Sequence, residues 1–83
     1  MNSVSKSERS LAIRKIIGDN IKGYRTRIAW SQEKLAVRAG THSNYLGGIE
    51  RGVQNASVNT LCKIATALKI EPVKLWIEGS YRE

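Results

Sequence analysis

The stretch QEKLAVRAGTHSNYLGGIERGVQN, Gln32 to Asn55, decides the fold because it divides into two short helices around one turn. Ser31 stands just before it as an N-cap, its hydroxyl placed to accept a first-turn backbone N–H, and Gln32 and Glu33 put acceptors at the positive helix end. Leu35, Ala36 and Ala39 keep one apolar face inward. Gly40 then falls where a helix ends in the left-handed conformation that glycine adopts at no steric cost. Thr41 or His42 enters the next helix, in which Tyr45, Leu46 and Ile49 recur at one-turn spacing until Gly52, a second C-terminal glycine.

Two short helices joined so tightly need small residues where they cross and larger ones on either side, and Ala36, Gly40, Leu46 and Ile49 meet that demand. The spacing predicts a helix-turn-helix; an ordinary helical hairpin in a small bundle is the alternative.

The rest of the chain supports the first reading. Eighty-three residues make one domain with a core local in sequence, which an all-helical bundle satisfies. The net charge of +7 and isoelectric point near 10.0 favour a polyanionic partner, nucleic acid first. Residues 1–28 carry seven basic and two acidic side chains, so most of the excess precedes the central stretch and predicts phosphate contact there. A solvated helix face accounts for charge but not for such an excess of one sign. A single cysteine cannot form an internal bridge, and no apolar run is long enough for a signal peptide or membrane span, so a cytoplasmic protein with no membrane partner is expected. His42 and Cys62 alone make no zinc set, and no nucleophile motif or phosphate-cradling glycine loop accompanies them. Neither an enzyme nor a cofactor is expected.

In chain order, residues 1–6 are polar and read as a flexible arm. Leu11, Ile13, Ile16, Ile17, Ile21, Tyr24 and Ile28 then fall mostly at three- and four-residue steps, one long amphipathic helix from Glu8 to Arg27, with Gly18 as a point of weakness. Trp30 in the following link covers the core edge. Ser57 caps a helix from Val58 to Leu68 whose apolar stripe includes Cys62 as a small buried hydrophobe. Pro72 opens a short last helix to Ile77. Residues 79–83 read as a tail. Leu75, Trp76 and Ile77 put more apolar surface on the last helix than one small core absorbs, which predicts a partner surface.

The order IGDNIKGYR, SQEKLAVRAG, YLGGIERG, SVNTLCKIATALKI and PVKLW, covering Ile17 to Ile77, resembles the phage repressor and Cro-like DNA-binding domains. Within it, NYLGGIERGVQNAS is similar to the controller proteins of restriction–modification systems, single-domain dimers that time endonuclease expression by binding operator DNA. Two departures stand out: Ala29 occupies a usual glycine position, and Gly47-Gly48 replaces bulkier residues of the recognition helix.

The resemblance implies a compact five-helix bundle whose second motif helix enters the major groove, its first residues at base edges. Ser43 and Asn44 are then the base readers; the amide of Asn44 matches the acceptor and donor of adenine. Gly47 and Gly48 let the helix backbone approach the groove. Thr41, His42 and Arg51 are candidates for base or phosphate contact, or for plain solvation. Gln32, Gln54 and Asn55 donate to phosphate, and Lys22 and Arg27 carry the salt dependence. Arg25 and Glu50 sit at positions the family uses for a structural ion pair. Ile70, Leu75, Trp76 and Ile77 are expected to hold a homodimer on inverted half-sites, with RNA polymerase a further candidate partner. A prophage repressor, an autoregulating antitoxin and a protein-interaction module are the competing readings.

Overall fold

The computed structural model describes residues 5–83, and every regular element in it is helical. Four α-helices, α1 Lys6–Arg27, α2 Gln32–Ala39, α3 Ser43–Glu50 and α4 Val58–Leu68, precede two short 3₁₀ turns, Pro72–Trp76 and Ser80–Arg82. The expected fifth helix is thus the first of these turns: Pro72 starts it, but the chain becomes extended at Ile77 before an α-helical ladder forms. No helix among the described residues is long and apolar enough to cross a membrane.

Local chemistry accounts for the helix ends. Ser31 and Ser57 each accept a backbone N–H of the first turn, from Lys34 and Thr60 respectively, both at 3.0 Å. Ser5 forms a reciprocal box with Glu8, the serine oxygen accepting from the Glu8 N–H at 3.1 Å while the Glu8 carboxylate accepts from the Ser5 N–H. That box pulls Ser5 and Lys6 out of the expected arm and into the start of α1; the remaining arm residues, 1–4, lie outside the described part.

The core is built from Ile17 and Ile21 of α1, Leu35, Ala36 and Ala39 of α2, Leu46 and Ile49 of α3, Leu61, Ile64, Ala65 and Leu68 of α4, and Leu75. Helix α2 packs on α4, while α1 packs on α3 and on the Pro72–Trp76 turn. Trp30 is half-buried against this core, as expected. Cys62 is half-buried rather than enclosed.

Helix α1 runs through Gly18 unbroken, and the structure gives that glycine a different role. A Cβ there would lie 2.4 Å from the Ile49 carbonyl oxygen and 2.5 Å from that of Glu50. Gly18 is where the end of α3 crosses α1 backbone to backbone.

Two features hold the C-terminal segment, and the second reaches residues 79–83, expected to be a tail. Asn20, fully buried, donates its side-chain amide to the carbonyls of Leu75 and Ile77, each at 2.9 Å. The Tyr24 hydroxyl donates to Ser80 Oγ at 2.8 Å, and the Tyr81 ring stands edge-on to Tyr24 with centroids 6.4 Å apart. Residues 80–82 are therefore docked on α1.

Ala29, between α1 and α2, adopts φ 58°, the left-handed region that costs an L-residue about 1–2 kcal/mol. This strain explains why glycine suits the position. Ala29→Gly is expected to stabilise the fold by about 0.5–1 kcal/mol, after allowing for the added freedom of the unfolded chain. Urea denaturation measures it, and equal or lower stability would mean that the backbone relaxes at Ala29.

Candidate nucleic-acid interface

The turn between α2 and α3 is fixed by backbone chemistry. Gly40 lies at φ 68°, and the Thr41 N–H reaches back to the Ala36 carbonyl at 2.9 Å, satisfying an end carbonyl of α2. His42 follows in extended geometry as the N-cap of α3, and its side chain makes no capping bond. The first backbone N–H groups of α3 are thus left without a side-chain cap, so the positive end of the helix is open to an acceptor from outside.

The candidate contact residues are not equivalent. His42 and Asn44 are exposed at this end, while Thr41 and Ser43 are half-buried beside them. Arg51, exposed, is the C-cap of α3. Gln54 and Asn55 are exposed in the loop beyond. Tyr45, which periodicity assigned only to an apolar face, donates its hydroxyl to the Asn55 carbonyl at 3.1 Å and ties that loop to the start of α3. No pattern in the sequence signals this bond, because its acceptor is a main-chain atom.

Three expectations require correction. Gly47 and Gly48 do not present open backbone to a groove, since both are buried. A Cβ on Gly48 would lie 2.3 Å from Gln54 Cγ, and one on Gly47 would lie 3.3 Å from both Gln32 Oε1 and Arg51 Nη1. The glycines make room for the protein's own side chains. Arg27, second, is only partly free: its Nη1 donates to the main-chain carbonyls of Tyr81 and Glu83, while the side chain stays exposed. Third, Leu75 is fully buried in the core and has no surface to give a partner; Trp76 and Ile77, 39% and 46% exposed, do. Ile70 is half-buried against the core.

The frame under the motif is a charged network. Arg25 donates from Nε to Glu50 Oε2 at 2.7 Å and from Nη2 to Glu50 Oε1 at 2.8 Å, a two-point pair between α1 and α3. Its Nη1 donates to the Trp30 carbonyl at 2.7 Å, fixing the link into α2. Gln32, at the start of α2, donates from Nε2 to Glu50 Oε1 at 2.9 Å. A carboxylate only accepts, so this bond sets the orientation of the amide and engages one of its hydrogens internally. Arg25 and Glu50 are both buried. The bond to Glu50 raises the guanidinium pKa beyond its already high ordinary value, against the opposing effect of burial, so Arg25 stays charged.

A helix-turn-helix family matches residues 21–75, most of the described chain. The control protein C.SmaI of Serratia marcescens is 38% identical over 63 residues, 76% of this chain and 75% of that protein. The chain belongs to the Cro/C1-like helix-turn-helix family. Control protein C.BamHI of Bacillus amyloliquefaciens is likewise 38% identical, over 76% of this chain and 79% of its own. Among solved structures, the restriction–modification controller protein C.AhdI from Aeromonas hydrophila superposes with a TM-score of 0.75 at 42% identity, covering 77% of this chain and 97% of that one. The hypothetical transcription factor NHTF from Neisseria shares the fold over 99% of this chain, with a TM-score of 0.80 at 24% identity.

The protein is thus a helix-turn-helix DNA-binding regulator related to restriction–modification controller proteins. Against that family frame, the basic side chains of α2 gain a definite setting: Lys34 and Arg38 stand over the Trp30 ring, 5.3 and 5.5 Å from its centroid. Loss of Glu50 would strand the buried Arg25 charge and release Gln32 together. Glu50→Ala is expected to cost about 3–5 kcal/mol in urea denaturation. A loss below about 1 kcal/mol would show that the network is not structural.

Proposed function

We propose that the protein is a sequence-specific transcriptional regulator that binds inverted-repeat operators as a homodimer and controls restriction–modification gene expression. The observation that carries this reading is the exposed, uncapped start of α3, with Asn44 and His42 at its open N–H groups, in a chain aligned over about three quarters of its length with two control proteins. In the major groove such a helix end reads base edges with its first residues.

Asn44 is the base reader in this account, because its exposed amide carries both a donor and an acceptor; Ser43 and Thr41 add permissive contacts. Gln54, Asn55 and the open N–H groups of α3 hold phosphates. Arg51, exposed beside Gln32, supplies a phosphate-neutralising charge. Gln32 keeps one amide hydrogen for DNA while the other stays on Glu50. The dimer buries Trp76 and Ile77, with Val73, 61% exposed, beside them and Ile70 below. A two-fold axis then sets the two α3 helices about 34 Å apart on successive major grooves. RNA polymerase is a further proposed partner of the operator-bound dimer.

Binding titrations on an operator duplex, selected from a random library, and on its scrambled form separate base reading from phosphate contact. Asn44→Ala should lose about 1–3 kcal/mol of discrimination at one base pair per half-site, with non-specific binding nearly intact. Arg51→Ala should weaken both duplexes alike and lower the salt slope by about one per half-site. Equal losses on both duplexes for Asn44→Ala would make it a backbone contact and remove the assignment of specificity to the start of α3. Sedimentation at tens of micromolar should give a dimer for the wild type and a lighter species for Trp76→Ala; a wild-type monomer would contradict the two-fold arrangement.

A further inference from the structure

The N-terminal half of α1 precedes the family match, which begins at residue 21, and its apolar side chains are not covered by this chain. Ile13 is 45% exposed, although it stands one turn before Ile17, which enters the core on the same helix face. Beneath Ile13 runs an open groove of about 390 Å³ with Ile17, Ile49 and Leu61 as its floor and Val58 and Trp76 at its far side. It follows α1 from Lys6 to Ile17, about 16 Å at the helical rise.

The rim of this groove is of one sign. Lys6, Arg9 and Arg14 line it, no acidic side chain does, and none of the three forms an ion pair among the described residues. An occupant must therefore bring apolar side chains followed by an acid. The chain itself carries such a strip: Trp76 and Ile77 are exposed and are followed by Glu78, which is exposed and unpaired among the described residues. The other acids near the molecule's ends are already engaged, Glu8 in the capping box and Glu83 with Lys74 at 3.7 Å.

We propose that the groove between the start of α1 and α4 receives the Trp76–Glu78 strip of a second copy, so that the N-terminal helical extension forms half of the dimer interface. The proposal rests on the homodimer of the functional reading and names the surface it uses. Trp76 lines the groove and also belongs to the strip, which places it next to the two-fold axis, where a self-complementary contact repeats on both sides. Each partner's Glu78 then meets the other's Arg9 and Arg14, giving the register of an otherwise apolar contact.

A charge swap tests this without DNA. Glu78→Arg sets like charges against the rim, and the double variant Arg9→Glu/Arg14→Glu does the same from the other side. All three positions lie outside the core and form no ion pair, so helical circular dichroism should be unchanged. Each variant alone should dimerise at least about ten-fold more weakly than wild type by sedimentation equilibrium, and an equimolar mixture should recover a heterodimer of near wild-type affinity, because both of its contacts are complementary. A mixture no tighter than its components, or variants that dimerise like wild type, would overturn the proposal while leaving DNA binding as a separate question. A wild-type chain that stays monomeric would remove it together with the dimer.

Discussion

The geometry of the helix-turn-helix depends on one buried carboxylate. Glu50 ends α3, and its oxygens accept from Arg25 on α1 and from Gln32 on α2, while Arg25 also holds the Trp30 carbonyl in the link between those helices. Every element that meets at the motif is therefore tied to one ion pair. Burial makes the arrangement demanding, since two charges leave water and are offset only if their hydrogen bonds are well formed. That demand gives it directional value: an apolar contact would tolerate sliding of α3 along α1, whereas a two-point guanidinium–carboxylate pair fixes both distance and angle.

A second constraint works on the same crossing. Gly18 brings the α1 backbone against the carbonyls of Ile49 and Glu50, so the pair forms at close range and α3 cannot be displaced outward without losing it. Two residues later on α1, Asn20 fixes the Pro72–Trp76 turn and the residue after it through main-chain carbonyls. Helix α1 is thus a spine with α3 on one part and the C-terminal turn on another.

The sequence made the motif legible because its boundaries are written in local chemistry. Ser31, Gly40, Gly52 and Ser57 mark ends through caps and positive φ, and each stands where the spacing placed it. Burial of the central residues followed from periodicity for the same reason. What escaped was set by partners distant in the chain. Neither a cap nor an apolar period singles out Asn20, and only the folded chain brings it to carbonyls more than fifty residues away. Gly47 and Gly48 sat on a face shared by the groove and by the protein's own Gln32, Arg51 and Gln54, and composition cannot tell which fills the space. Leu75 was one of three consecutive apolar residues, and a 3₁₀ turn sends it inward while Trp76 and Ile77 stay outside. Ser5 and Lys6 read as part of a flexible arm and residues 79–83 as a tail, yet a capping box and the Tyr24–Tyr81 contact order them.

The central claim is that Arg25 and Glu50 act as a unit that positions α3. A double-mutant cycle in urea, with Arg25→Met, Glu50→Leu and the double variant, measures that coupling directly. The account predicts that the double variant is more stable than the sum of the single losses by about 2–3 kcal/mol, because each single change leaves a buried charge alone and the double change leaves none. Losses that add to within about 0.5 kcal/mol would contradict it.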